Sequence, residues 1–153
     1  MPVMGFTKFE RFFRAAGGVD VDVDVDRDDI KRYLDFVNDA LYDLLLIGQA
    51  TAKANVRDVM LPWDLPVTKG LQESVHAFER FEERSNCAHP RIAGRARPPL
   101  DAALADDIQA WLPLLFGGIS VALARTFTLI DAELKAVHTR EWERTSELFR
   151  LLI

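Results

Sequence analysis

The sequence predicts an all-α chain built from two similar halves, each organised around one long central helix. Three observations carry this. Apolar residues recur at helical spacing without a proline from about Asp28 to Asn55. Asp28-Asp29-Ile30-x-x-Tyr33-Leu34 reappears as Asp106-Asp107-Ile108-x-x-Trp111-Leu112, 78 residues later. Trp63-Asp64 reappears as Trp142-Glu143, 79 residues later, and a nearly constant offset across two elements indicates duplication.

The elements follow in order. Phe6, Phe9, Phe13 and Ala16 predict a short amphipathic helix; Thr7 and Glu10 form a capping box and Gly17-Gly18 a stop. Val19 to Asp26 alternates valine with aspartate, an extended segment with carboxylates on one face. Asp26 or Asp28 caps the long helix, which carries Ile30, Leu34, Val37, Leu41, Leu44/Leu45, Gly48 and Ala52 on its apolar side. Leu44-Leu45-Leu46-Ile47 makes its middle apolar all round, so it needs a partner. A turn and short strand span Asn55 to Met60. Pro62 suits a first helical position, and a helix from about Thr68 to Glu83 carries Leu71, Val75, Phe78 and Phe81. Residues 84–99 read as a linker. Beyond it, Leu100–Leu104 is at most a vestige of a first helix. Ala105 to about Ala132 is helical, with kinks expected at Pro113 and Gly117-Gly118, and a last helix runs from about Thr139 to Leu152.

This succession resembles the histone fold. The first half resembles it most specifically at Ala54-Asn55-Val56-Arg57 with Asp64 seven residues on, where the fold pairs a loop arginine with an acid of the third helix. The run Ala52 to Pro66 (AKANVRDVMLPWDLP), Thr68-Lys69-Gly70-Leu71, Gly117-Gly118 and Glu141-Trp142-Glu143 is similar to a bacterial family of unknown function that holds two histone folds in one chain. The resemblance implies one compact domain, 1–153. Its first half is 1–83, its linker 84–99 and its second, degenerate half 100–153, with the long helices in a handshake. It implies a structural clamp at Arg57 and Asp64; the second half has Ala136 at the arginine's place. Two tethered halves cover each other, so the pseudo-dimer is expected to be self-sufficient as a monomer.

Composition bounds the function. The chain has 153 residues, 49% hydrophobic and 28% charged, which fits a globular protein. No apolar run reaches the roughly 20 residues that cross a bilayer, the start lacks a secretory signal, and the single cysteine, Cys87, fits a reducing compartment. A cytoplasmic location, away from membranes, is therefore expected. The net charge of −5 and the carboxylates Asp20, Asp22, Asp24 and Asp26 in the first loop oppose phosphate binding. The basic surface left for nucleic acid is Lys53, Lys69 and the linker arginines Arg84, Arg91, Arg95 and Arg97.

Other chemistry is sparse. Asp24, Asp26, Asp28 and Asp35 fall at calcium-loop positions 1, 3, 5 and 12, but Asp29 occupies the place where that loop needs glycine. A solvated strand face with a helix cap explains them better. Cys87-x-His89 has no second ligand pair, with His76 and His138 isolated. No phosphate loop, nucleophile elbow or zinc-protease motif occurs. Trp63, Trp111 and Trp142 recur at repeat-related places, which favours core packing. No cofactor and no enzymatic activity are expected; the expected role is a structural or protein-interaction module with an unidentified protein partner, and the alternative is an architectural DNA-binding protein.

Overall fold

The computed structural model describes residues 27–85, 99–130 and 139–152. The first predicted helix, the Val-Asp alternation, most of the linker and the loop 131–138 lie outside the described residues.

Helix α1 spans Arg27–Ala54, 28 residues and about 42 Å at 1.5 Å per residue. Tyr33, Val37, Leu41, Leu44 and Ala52 form its buried stripe. It ends in a Schellman turn: the Val56 amide donates to the Lys53 carbonyl (3.0 Å) and the Arg57 amide to that of Ala52 (3.0 Å). Val56 has φ 57° and is 94% exposed. A β-branched residue there is strained, because its Cβ crowds the carbonyl. Val56→Gly is therefore expected to raise Tm in a thermal unfolding scan by about 2–4 °C, the equivalent of roughly 1 kcal/mol.

Strand β1 (Val59–Met60) pairs in parallel with β2 (Ala103–Leu104), Val59 opposite Ala103 and Met60 opposite Leu104. The amides of Ala103 and Ala105 donate to the carbonyls of Asp58 (2.9 Å) and Met60 (3.1 Å). The expected helical vestige at Leu100–Leu104 is thus a bend and a strand. Its hydrogen bonds go outward instead: Asp101 and Ala102 amides donate to Gln49 Oε1 at 2.8 and 3.2 Å.

A 3-10 turn at Pro62–Asp64 leads to α2 (Lys69–Ser85), whose Leu71 amide is capped by Thr68 Oγ1 at 3.2 Å. Helix α3 spans Asp106–Ile130, with Asp106 and Asp107 at the positive end of its dipole, and α4 spans Thr139–Leu152. The β1–β2 pair sets the end of α1 beside the start of α3, while Tyr33, near the start of α1, meets Phe116 and Ser120 in the middle of α3. The long helices therefore pass each other in opposite senses. One core joins them: Val37, Leu41 and Leu44 from α1 with Ile108, Ile119, Leu123 and Phe127 from α3.

Helix α3 departs from the sequence expectations in one respect. By length and composition it is apolar enough to cross a membrane, contrary to the expectation that no segment is; Leu115 to Val121 are buried without a break, because α3 is enclosed by other helices. As expected, it is one helix through Pro113 and both glycines. Burial on several sides offsets a proline cost of about 3 kcal/mol. The glycines serve close packing: a Cβ on Gly117 would strike the Phe78 ring, and one on Gly118 would lie 2.5 Å from Val75 Cγ2 and 3.1 Å from its backbone nitrogen.

The core contains one polar tie. Ser120 Oγ donates to the Phe116 carbonyl (2.8 Å), so the Tyr33 hydroxyl donates to Ser120 Oγ (2.6 Å). Burial pushes the Tyr33 phenol well above its ordinary value, with the Ser120 bond opposing. The unfolded chain releases this proton near pH 10 and the folded chain does not. Stability is therefore lost as pH rises past about 10, and Tyr33→Phe should flatten that loss in urea titrations between about pH 9 and 11.

Candidate functional site

The surface at the β1–β2 end gathers most of the described candidates. Arg57 Nη1 and Nη2 each donate to Asp64, to Oδ2 and Oδ1, both at 2.7 Å. Asp64 Oδ2 also accepts from the Leu61 amide at 2.8 Å, and Arg57 Nη1 donates to the Val59 carbonyl at 3.2 Å. The Asp64 side chain is 1% exposed and that of Arg57 28%. The seven-residue spacing works because the turn after β1 folds Asp64 back beneath the loop. Hydrogen bonds from Arg57, assisted by the Leu61 amide and the guanidinium charge, hold the Asp64 carboxyl below the usual carboxylate range against the opposing effect of burial. The same pairing raises Arg57 further.

The basic candidates do not converge on an open cationic stripe among the described residues. Lys53 Nζ lies 3.1 Å from Asp101 Oδ2, and Lys69 Nζ 3.7 Å from Glu73 Oε1 one turn along α2. Arg84 lies in α2, and Arg91, Arg95 and Arg97 lie outside the described residues. This end also exposes large apolar side chains, Val56, Val59 and Trp63, the last 75% exposed. Trp63 and Trp111 (41% exposed) line a groove of about 520 Å³ with Pro62, Val67, Val75 and Leu114. The expectation that all three tryptophans pack in the core holds for Trp142 alone. Trp63 sits on the outer side of the 3-10 turn whose buried member is Asp64, and Trp111 on the solvent side of α3's second turn. Repetition of tryptophan alone could not expose this, because it does not say which side of each element faces the core.

Trp142 packs edge-on to Phe127, ring centroids 5.0 Å apart. Beside it Thr145 Oγ1 is buried with no hydrogen-bond partner among the described residues. Such an orphan costs about 1–3 kcal/mol, so the isosteric Thr145→Val is expected to raise Tm by roughly 2–6 °C in calorimetry.

Among the described residues, no group of three or more His, Cys, Asp or Glu could hold a metal ion. Of the calcium frame, Asp24 and Asp26 lie outside the described residues, while Asp35 lines a separate groove between α1 and α4. Cys87, His89 and His138 also lie outside them, and His76 Nδ1 faces Glu79 at 3.2 Å.

These features define a predominantly helical protein whose two long helices, from opposite halves of the chain, share one core. The chain belongs to the family described as Domain of unknown function (DUF1931), whose model matches residues 9–150. It is similar to a Thermus thermophilus protein of known crystal structure, with 39% identity, a TM-score of 0.83 and coverage of 96% of this chain and 97% of that one. It also shares its fold with protein AQ328 from Aquifex aeolicus (20% identity, TM-score 0.73, 97% and 95% of the two chains). An uncharacterised protein of Aquifex aeolicus (strain VF5) is 25% identical over 115 residues, 75% of this chain; the match spans 65% of that relative's length.

Proposed function

We propose that the chain is a histone-fold pseudo-dimer acting as a non-enzymatic structural or protein-interaction module in the cytoplasm. The fold reading is supported by the parallel pairing of β1 with β2. The loop after the first long helix meets the loop before the second, as a handshake requires. The opposed passage of α1 and α3 through a common core, at equivalent positions 78 residues apart, supports it too.

One observation carries the functional part. At the end where a histone pair would grip phosphates, Lys53 and Arg57 face carboxylates, and the large apolar side chains Val56, Val59 and Trp63 are exposed beside them. Exposed aromatics beside a groove suit a protein partner better than a polyanion. The second reading, an architectural DNA-binding protein, draws on the arginines at 84, 91, 95 and 97 together with Lys53 and Lys69. Titrating the full chain into labelled duplex DNA at about 50 mM salt separates the two. No shift is expected; saturable binding that weakens steeply with salt would overturn the proposal in favour of the second reading.

A further inference from the structure

The sequence repeat places aromatic rings at matched positions, and the fold treats the two copies oppositely. Tyr33 and Trp142 are buried, whereas their counterparts one repeat away, Trp111 and Trp63, stand exposed. The buried pair have ring partners in the core, Phe116 and Phe127. Ahead of α3 the described residues 99–105 are held to β1 and Gln49, and form no helix that could cover Trp111. Two indoles beside one groove are a large apolar surface to leave in water.

The groove's chemistry narrows what it takes. It has a volume of about 520 Å³ and is walled by α2, α3 and the 3-10 turn. Helical walls use their amides and carbonyls internally, so they offer an occupant no backbone ladder. The occupant best served is one whose backbone needs no partner. A proline-rich segment meets that condition: it lacks a donor at each proline and is extended before it binds, so little order is lost on docking. Aromatic-lined grooves are the surfaces on which such segments dock.

The charge of the groove is one-sided. Its polar lining is Gln72, His76 and Glu79, with neither lysine nor arginine among the described lining residues. Glu79 Oε2 meets His76 Nδ1 at 3.2 Å, and no other described residue pairs with Glu79. The neighbouring cations are turned elsewhere, Arg80 to the His76 carbonyl (3.4 Å) and Lys69 to Glu73 (3.7 Å). An acid beside two indole faces suits a guanidinium, which can stack on a ring while donating to the carboxylate.

We propose that the groove between Trp63 and Trp111 is a docking site for a proline-rich segment of another protein that carries an arginine. The prolines lie against the indoles and the guanidinium meets Glu79. This assignment rests on the protein-partner reading and names the chemistry of that partner.

Fluorescence anisotropy of a labelled peptide, Pro-Pro-Leu-Pro-Pro-Arg-Pro, titrated with the full chain tests this. Saturable binding below about 1 mM is expected. Trp63→Ala, at an exposed position, should weaken it about tenfold or more. Replacing the peptide's arginine with neutral citrulline should cost about fivefold in the parent and less than about twofold in Glu79→Gln, a pattern that loss of fold would not reproduce. Circular dichroism checks that each variant folds. Absence of saturable binding, binding indifferent to Trp63→Ala, or an equal citrulline penalty in both proteins would overturn the proposal. So would an alanine-for-proline peptide that binds as tightly, which points to a helical occupant. Self-association of the chain that Trp63→Ala abolishes would also overturn it, assigning the surface to a second copy. The duplex-DNA titration tests the protein-partner reading with a different probe, so failure of one can be told from failure of the other.

Discussion

Replacing both Gly117 and Gly118 with alanine is expected to destabilise the protein by roughly 3 kcal/mol, on the order of 6–12 °C in Tm. Helix propensity alone predicts the opposite sign, since each Gly→Ala change in a helix interior gains about 1 kcal/mol. Packing decides. The new Cβ at 118 would meet not only Val75 Cγ2 but the backbone nitrogen and Cα of Val75, at 3.1 and 3.2 Å. Backbone cannot rotate away, so α2 and α3 must move apart, and the Phe78 ring at Gly117 leaves no room on the other side. The adjacent sites share one interface, so their costs will not simply add. Gly70→Ala is the control: nothing lies within 4 Å of its added Cβ, and its stability should be unchanged or slightly higher. Urea unfolding of the three proteins is the measurement. A double variant as stable as the parent would mean that α2 does not sit on α3 at the glycine pair.

Arg57→Ala should lower Tm by a similar amount, roughly 6–12 °C, because it strands a carboxylate that is almost fully enclosed. The two Arg57 bonds would be lost at once, leaving Asp64 with the hydrogen bond from the Leu61 amide. Arg57→Lys keeps the charge but not the fork, and an intermediate loss is expected. The pH dependence distinguishes this cause from a general loosening. Asp64's carboxyl is held below the ordinary range in the folded state. Its contribution is therefore fully present above the unfolded value near 4, and it is lost as pH falls through the lower folded value. The gap in stability between parent and Arg57→Ala should accordingly narrow below about pH 4. A gap constant down to about pH 2 would contradict the clamp as the source.

Much of the helical framework is legible in the sequence, for a physical reason. The start and end of α1, α2 and α4 fall within one or two residues of the positions that apolar spacing and capping residues indicate. These are helices with one clear apolar face. Helix α3 is different: it is buried on several sides, so its sequence loses amphipathic contrast and reads by length and composition like a membrane span. Its Gly117-Gly118 pair reads locally as a kink, because the reason for it, the Phe78 ring and Val75 backbone, lies some 40 residues away in sequence. The strand at Ala103–Leu104 is hidden for the same reason; two residues carry no periodicity, and only the pairing with Val59 and Met60 makes them a strand. Of the surface features, the Arg57–Asp64 contact is local and visible as a spacing. The exposure of Trp63 and Trp111 depends on which side of the 3-10 turn and of α3 meets the core, and repetition of tryptophan says nothing of that.

The two halves are each other's cover, and cutting the chain between them exposes that dependence. A protease site placed between residues 88 and 96 leaves all described helices intact. After cleavage, the halves are expected to remain associated by analytical ultracentrifugation and to unfold in one transition. Its Tm should fall on dilution, whereas that of the intact chain should not change, because cleavage turns an intramolecular interface into a bimolecular one. Two separated fragments, each with its own concentration-independent transition, would mean that each half folds without the other.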